Sequence, residues 1–247
     1  MTGLCIVGTD TGVGKTVIAG AIARLLVMRG VDVAVMKPVE TGCRMQRGKI
    51  FPADGAYLKA AARCEDALDH ITPYRYPSAL SPYAAGCIEK RRISARMLIR
   101  RMVARQRSCA FLLVEGIGGL LVPLSARTDW LDVVKGLDLP VLLVARSGLG
   151  TLNHTQLTWR EGLRNGLKFA GIILNQSTPR KTLADHTNPK FLSARCKVPI
   201  VSFPYDRYLA APMRSLRIQE QRIARSVAIL RRHAAFISAL KLPTGPP

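Results

Sequence analysis

Residues 8–16 read Gly-Thr-Asp-Thr-Gly-Val-Gly-Lys-Thr, and this stretch decides the fold. An apolar run at 4–7 precedes it, and apolar residues at helical spacing follow it. Glycines in such a turn let backbone N–H groups close on phosphate oxygens, because no Cβ stands in the way. The following helix N-terminus attracts anions, the lysine reaches the β- and γ-phosphates, and the threonine hydroxyl binds Mg²⁺. The spacing is one residue longer than the usual phosphate loop, but the context predicts a nucleotide site.

The composition is that of a globular protein from a reducing compartment. The chain has 247 residues, of which 48% are hydrophobic and 21% charged, so it can bury a core as one large α/β domain. Its six cysteines lie at least 21 residues apart, which excludes local zinc-knuckle spacing and indicates reduced thiols. We see no signal peptide and no apolar segment long enough for a bilayer, and therefore expect a cytoplasmic protein.

The net charge of +21 is unusual and raises the question of a polyanionic partner. Basic residues concentrate at 90–107 and at 214–241, each with an apolar stripe at helical spacing. We interpret both as amphipathic helices that dock on a sheet and expose a basic face, while a polyanion or membrane-surface role stays open. No aromatic residues are interleaved to stack on bases, so a specific nucleic-acid site is not favoured.

Short apolar runs alternate with helical patterns along the chain. The runs are at 4–7, 33–36, 111–114, 141–145, 171–174 and 200–203, and the helical patterns are at 15–29, 54–64, 94–106, 151–165 and, more weakly, 189–195. This order predicts a single α/β domain, residues 1–247, with a mostly parallel sheet flanked by helices on both faces, as in P-loop NTPases. Residues 40–53 and 176–190 are expected to be loops, and 243–247 a disordered tail.

Charged residues follow two of these runs, at the sheet edge where ligands bind in such folds. Glu115 ends the run at 111–114, and a carboxylate there is the expected magnesium partner. Lys37 ends the second run and would point at the same rim as Lys15, so that two ammonium groups face one phosphate site. Asp54 opens a helix, where it could bind the metal or serve only as an N-cap.

Further motifs accompany the phosphate loop and together point to one family. They are GTDTGVGKT at 8–16, KPVETG at 37–42, Asp54, TPYRY at 72–76, LSPYAA at 80–85, VEGIGG at 114–119, GTLNHTQLT at 150–158, ILNQS at 173–177 and FPYD at 203–206. The chain resembles the dethiobiotin synthetases over roughly its whole length. The segments at 8–16, 37–42, 114–119 and 150–158 make this resemblance specific, since a generic phosphate loop gives no reason for the last of them.

The resemblance implies a ligase of biotin biosynthesis that carboxylates 7,8-diaminononanoate with CO₂, using ATP and Mg²⁺. One amine captures CO₂ as a carbamate, ATP phosphorylates it to a carbamic-phosphoric anhydride, and the second amine displaces phosphate to close the ureido ring. It also implies a homodimer with substrate near the subunit interface, and ATP, diaminononanoate and CO₂ or bicarbonate as partners. Neither a specific nucleic acid nor a membrane is expected.

The resemblance also implies roles for individual residues. The catalytic residues would be Lys15, Lys37 and Thr11, and the magnesium ligands Thr16, Asp54 and Glu115. ATP would be bound by Gly12, Val13, Gly14, Lys15, Thr16, Asp54, Glu115, Gly118, Asn175, Pro204 and Tyr205, with Asn175 reading adenine. The substrate would be bound by Lys37, Thr41, Gly118, Gly150, Thr151, Leu152 and Asn153, the last four at a helix N-terminus that suits a carboxylate.

Two positions depart from the family, and one other class of protein deserves comparison. Gly12 stands where some members carry Glu, and Tyr83 where the family often has His. The alternative is a positioning ATPase of the ParA/MinD kind, which binds DNA or membrane through the same fold. That class has a signature lysine in its phosphate loop, where this chain has Asp10.

We expect duplex and single-stranded DNA to bind this protein only through its net charge. Binding at low salt should collapse at about 150–200 mM salt, because counterion release dominates non-specific contacts. Fluorescence anisotropy with and without ATP measures this. Tight binding that survives at that salt and switches with ATP would instead favour the positioning-ATPase alternative.

Overall fold

The computed structural model describes residues 2–210 and 216–245. Its strands are β1 (Gly3–Gly8), β2 (Val33–Met36), β3 (Val39–Thr41), β4 (Arg44–Gln46), β5 (Lys49–Phe51), β6 (Tyr74–Tyr76), β7 (Phe111–Gly119), β8 (Val141–Arg146), β9 (Phe169–Asn175) and β10 (Ile200–Phe203). Its helices are α1 (Lys15–Met28), α2 (Ala53–Ala62), α3 (Leu68–Ile71), α4 (Pro82–Ile88), α5 (Ala95–Arg107), α6 (Trp130–Leu137), α7 (Thr151–Arg164), α8 (Leu183–Cys196), α9 (Arg207–Ala210), α10 (Leu216–Arg231) and α11 (Ala234–Ala239).

A six-stranded parallel sheet forms the centre of the molecule, in the order β10-β9-β8-β1-β7-β2. Each of the six predicted runs is one of its strands, so the predicted fold class is confirmed. These strands are mostly apolar because helices cover both faces of the sheet. Since β1, β2 and β7 are neighbours and parallel, the residues that follow or end them meet at one edge.

Two apolar cores lie on opposite faces of this sheet, as the alternation along β1 illustrates. Leu4 and Ile6 point into the core that contains α1, α2 and α10, whereas Cys5 and Val7 point into the core that contains α5 and α6. The first core fixes the helix that follows the phosphate loop. Helix packing on both faces therefore holds the edge of the sheet in place from two sides.

The two predicted loops were partly wrong. The segment 40–53 contains the end of β3 and the antiparallel hairpin β4–β5, which turns at Arg47 and Gly48, both with positive φ. Helix α8 begins at Leu183 rather than at 189, because Thr182 and Asp185 form a capping box. Helix α6 was missed, although Asp129 and Asp132 form a capping box at its start.

Helices occupy only part of the two basic segments, and α5 matches the helical pattern predicted at 94–106. Helix α5 begins at Ala95, after the N-cap Ser94, so residues 90–94 precede it. In α5, Leu98 and Met102 are buried, whereas Met97 is 44% exposed. The segment 214–241 forms two helices, α10 and α11, instead of one, and Arg214 lies outside the described residues.

The C-terminal region of the described chain returns to α1. At the end of α11 the chain continues to residue 245, whose backbone N–H donates to the carbonyl of Arg29 at 2.8 Å. Residues 246 and 247, part of the predicted tail, lie outside the described residues. Across 2–210 and 216–245 we find no helix whose length and apolarity would suffice for crossing a membrane.

Helix α10 is tied to the first core by a buried arginine. Arg24 on α1 donates to the carbonyls of Ala60 and Ala61 at 2.7 and 2.9 Å, and to both carboxylate oxygens of Glu220 at 3.0 Å. The Arg24 side chain is 8% exposed and that of Glu220 is 55% exposed. Water therefore screens the ion pair, while the carbonyl contacts on the α2 side are sheltered.

We expect Arg24→Met to lower the free energy of unfolding by about 2–3 kcal/mol, because it leaves two carbonyls and a carboxylate without their donor. Glu220→Gln should cost about 1 kcal/mol or less, since the pair is partly exposed. Urea unfolding of both variants measures the difference. Equal losses would mean that the ion pair, and not the carbonyl contacts, holds these helices together.

Candidate active site

A cleft of about 540 Å³ opens at the carboxyl edge of the sheet, between the phosphate loop, the ends of β2 and β7, and the segment after β10. It brings together most of the residues predicted for the site. These are Thr11, Gly12, Gly14, Lys15, Thr16, Lys37, Thr41, Asp54, Glu115, Gly118, Asn175, Pro204 and Tyr205. The edge of a parallel sheet is where such a fold presents its ligand site.

The phosphate loop needs its glycines for space and for backbone conformation. Gly12 and Gly14 have φ of 75° and 99°, in the left-handed region. A Cβ on Gly14 would lie 2.2 Å from Nδ2 of Asn175, and one on Gly8 would lie 2.7 Å from Nζ of Lys15. Asn175 fills the space beside Gly14 and donates from Nδ2 to the carbonyl of Val13 at 2.9 Å. Its Oδ1 is the atom that can accept from an adenine amino group.

Lys15 is a buried cation at the start of α1. Its ammonium donates to the carbonyl of Asp10 at 2.7 Å. Burial lowers the pKa of Lys15 to about 8, and repulsion from Lys37 adds to this effect. An anion in the cleft would compensate the charge that burial makes costly. This is the environment in which a lysine binds phosphate strongly.

A buried carboxylate connects the phosphate loop with the ends of β2 and β7. Oε1 of Glu115 accepts from Nζ of Lys37 at 2.5 Å and from Oγ1 of Thr16 at 2.8 Å. Lys37 also donates to the carbonyl of Gly116 at 3.2 Å and lies 3.5 Å from Oδ2 of Asp54. Three chain segments that are distant in sequence are thereby joined through one oxygen atom.

The charges in this cluster stabilise one another. Burial on its own lowers the pKa of Lys37, but attraction by Glu115 and Asp54 outweighs it, so that the pKa of Lys37 is raised. Burial raises the pKa of Glu115, and Lys37 partly offsets that effect. Lys37 therefore stays protonated, held between two carboxylates.

Asp54 is not the N-cap of α2, so that alternative was wrong. The N-cap is Pro52, which offers no side-chain acceptor. Glu40 replaces it from β3: its Oε1 accepts from the backbone N–H of Asp54 and its Oε2 from that of Gly55, both at 3.0 Å. The Asp54 carboxylate is thereby left to face Lys37.

The sequence analysis missed Glu40, because a cap that comes from a remote strand has no local spacing pattern. Its side chain is buried in the cleft wall. Burial raises the pKa of Glu40 to about 7, and repulsion from Asp54 adds to this, while the two backbone donors oppose it. The cleft also contains Gln176 and Phe203, to which the motifs at 173–177 and 203–206 gave no role, and Tyr57 and Arg222, which lie in no motif.

The donor set fits a magnesium ion that is shared with phosphate. Oε2 of Glu115 is buried and has no hydrogen-bond partner within the described residues. Thr16 donates its hydroxyl hydrogen to Glu115, so its oxygen lone pairs can face a cation. No group of three or more His, Cys, Asp or Glu able to hold a metal is found within 2–210 and 216–245. Mg²⁺ needs no such group, since it uses one or two carboxylates together with phosphates and water.

The four residues predicted to bind the substrate tail lie elsewhere. Residues 150–153 form the start of α7, at the end of β8, and are not among the residues that line the cleft. Thr151 is fully buried and its hydroxyl contacts that of Thr155, whereas Gly150 and Asn153 are exposed. Their assignment to the substrate stays a prediction.

Comparison with known proteins decides the family. The chain is 41% identical to the ATP-dependent dethiobiotin synthetase of Thermodesulfovibrio yellowstonii, over 82% of this chain and 88% of that protein. It belongs to the dethiobiotin synthetase family. The dethiobiotin synthetase of Aquifex aeolicus is 40% identical over 76% of this chain and 82% of its own length. A family model described as an AAA domain matches residues 2–213. The resemblance found in the sequence is confirmed.

Solved structures agree with the fold of this dethiobiotin synthetase relative. The septum site-determining protein MinD of Pyrococcus horikoshii, complexed with Mg-ADP, has a TM-score of 0.57 at 18% identity, over 97% of this chain and 94% of that one. The cell division ATPase MinD of Pyrococcus furiosus has a TM-score of 0.55 at 17% identity, over 98% of both chains. At such identities the likeness concerns the fold alone.

The capping of α2 can be tested by stability. Glu40→Ala should lower the free energy of unfolding by about 1–2 kcal/mol, because two N–H groups at the helix start lose their acceptor. Asp54→Asn should cost about 0.5 kcal/mol or less, since only its interaction with Lys37 and the helix dipole changes. Urea unfolding compares the two variants. A larger loss of unfolding free energy for Asp54→Asn than for Glu40→Ala would mean that Asp54 caps α2.

Proposed function

We propose that this protein closes the ureido ring of dethiobiotin, carboxylating 7,8-diaminononanoate with CO₂ at the expense of ATP. Membership of the family supports this reaction. The observation that carries it is the placement of Lys37, a cation fixed between Asp54 and Glu115 in the cleft that begins at the phosphate loop. The carbamate of one amine attacks the γ-phosphate of ATP, and the second amine then displaces phosphate from the mixed anhydride.

Lys15 and Lys37 would lower the barrier to phosphoryl transfer. A carbamate that approaches a γ-phosphate brings two anions together, so cations must already be in place. Lys15 is fixed at the start of α1 and Lys37 at the end of β2, and both are buried. Neither has to be reorganised when the reactants meet. Thr11 and Thr41 line the same cleft and would donate hydrogen bonds to carbamate or phosphate oxygens.

We assign the magnesium ligands to Thr16, Asp54 and Glu115. When bound, Mg²⁺ neutralises charge on the β- and γ-phosphate oxygens. The buried Oε2 of Glu115 supports this assignment, because an acceptor without a donor suits a cation. Lys37 holds the other oxygen of Glu115, which favours its charged form and orients it toward the phosphate loop.

We further propose that the active protein is a homodimer in the cytoplasm. Large apolar side chains are exposed on α7, on α8 and on the loop that precedes α7; they are Leu149, Leu157, Leu183 and Phe191. Such exposure is typical of a surface that another protein covers. A partner subunit there would bring residues 150–153 to a substrate whose reacting amines lie in the cleft. The cysteines are free, as expected in a reducing compartment.

The reaction is tested by phosphate release from ATP with and without diaminononanoate and bicarbonate. We expect release that depends on both, together with a product whose mass is that of dethiobiotin. ATP hydrolysis that ignores the diamine, or that DNA or vesicles stimulate, would favour the positioning-ATPase alternative. Asp10 stands where those ATPases carry their signature lysine, and its carboxylate accepts from the N–H of Thr11 at 2.7 Å.

Lys37→Ala should abolish ring closure and leave the fold intact. Removing one preorganised donor costs about 3–4 kcal/mol of transition-state stabilisation, so kcat should fall roughly 10²- to 10³-fold. Steady-state rates and the circular dichroism spectrum provide the measurement. Lys168→Ala, at an exposed ion pair with Asp138, is the matched control and should keep its activity. Normal turnover of Lys37→Ala would remove this lysine from the mechanism.

Magnesium dependence tests the shared ion. Glu115→Gln and Asp54→Asn should each raise the magnesium concentration needed for half-maximal rate and lower the rate at saturating ATP. The losses in the double variant should be less than additive, because both carboxylates act on one ion. Titrating Mg²⁺ against the rate of the four proteins measures the coupling. Strictly additive effects would mean that Asp54 and Glu115 act independently.

A further inference from the structure

Arg222 brings a positive charge to the cleft from outside the residues that match the family model. It lies on α10, which begins at Leu216, whereas the match ends at 213. Its side chain is half-buried, lines the cleft and donates from Nη2 to the carbonyl of Leu209. Thr16 and Val17, at the end of the phosphate loop and the start of α1, line the same cleft.

Packing, and not a mobile loop, determines where Arg222 stands. On the preceding turn of α10, Glu220 pairs with Arg24 and Gln219 donates to the carbonyl of Ala56 at 3.2 Å. The next residue, Ile223, is fully buried in the core beside α1. A cation on so rigid an element is preorganised for a ligand and loses little entropy when it binds one.

The remaining cations of the cleft have other tasks. Lys15 belongs to the phosphate loop, where such a lysine reaches the β- and γ-phosphates. Lys37 is fixed between Glu115 and Asp54 and is assigned to the carbamate and the γ-phosphate. Arg222 donates to the carbonyl of Leu209, four residues beyond Tyr205, which the family resemblance places in the purine-side loop. Arginine stays charged even when half-buried, and its planar group matches phosphate oxygens.

We propose that Arg222 binds the α-phosphate of the nucleotide. The backbone of the loop cradles the α- and β-phosphates and Lys15 reaches the β- and γ-phosphates. The base is assigned to Asn175 and the segment after β10, so the α-phosphate is the phosphate nearest the base. Arg222 would contact it from the α10 side of the cleft, in addition to the backbone of the loop. The inference rests on the proposed function only in taking ATP as the ligand, and it makes nucleotide affinity depend on α10.

The test is nucleotide binding in the absence of diamine and bicarbonate, so that it does not depend on ring closure. Isothermal titration of the whole protein gives Kd for ATP and ADP, and displacement of a fluorescent ADP gives Kd for AMP and adenosine. Arg222→Gln should weaken ATP, ADP and AMP about 10-fold each, the usual effect of losing a charged hydrogen bond. Adenosine, which lacks the phosphate, should bind unchanged.

Two control variants separate this role from simple support of the cleft wall. Arg225, on the same helix, donates to Asp206 at 2.9 Å and lies over the Tyr208 ring, and it is not among the residues that line the cleft. Arg225→Gln should change the affinities for adenosine and ADP by the same small factor. Arg231→Gln, at the exposed end of α10, should change neither.

Several results would overturn the proposal. Equal weakening of adenosine and ADP by Arg222→Gln would mean that the side chain only supports the Leu209 segment. If only the affinity for ATP falls, Arg222 contacts the γ-phosphate instead. If no affinity falls, Arg222 does not contact the nucleotide. If Arg222→Gln does not fold, Arg222→Lys decides, because it keeps the charge without the planar fork. It should weaken ADP about 2- to 5-fold and adenosine not at all.

Discussion

One oxygen atom of a buried carboxylate organises the site. Glu115 lies in the strand next to β1, and its Oε1 receives the hydroxyl of Thr16 and the ammonium of Lys37. A carboxylate so far from water is costly unless it is paired and hydrogen-bonded. The pairing that makes it tolerable also fixes the phosphate loop relative to the end of β2. The energetic requirement of the core and the geometric requirement of phosphoryl transfer are therefore met by the same contacts.

The start of α2 places a second constraint on this cluster, because its backbone N–H groups need acceptors. The helix starts with a proline that cannot cap it, so Glu40 reaches across from β3 and binds the first backbone donors. The sequence places Asp54, a proposed magnesium ligand, and a helix start on the same few residues, and Glu40 supplies the cap. Two neighbouring carboxylates thus make different contacts: Glu40 caps α2, and Asp54 faces Lys37.

The sequence predicted what depends on local pattern. Continuous apolar runs gave the six central strands, and the glycine spacing gave the phosphate loop, because backbone conformation and burial on both faces leave direct traces in the residue order. Contacts between remote segments leave no such trace. Glu40 capping α2 and Arg222 reaching the cleft from α10 therefore had to come from the structure. Residues 150–153 show the opposite case. Their motif is specific to the family in sequence, but in the structure they do not line the cleft.

The amide of Asn175 has a consequence for how the enzyme distinguishes bases. The side chain sits where a Cβ on Gly14 would be and holds the carbonyl of Val13. The amide that we propose meets the purine therefore also supports the phosphate loop. A base that displaces Asn175 would loosen the loop as well as bind less well. Recognition at one end of the nucleotide is in this way transmitted to the reacting end through a single planar group, and a wrong base would be rejected in turnover as well as in affinity.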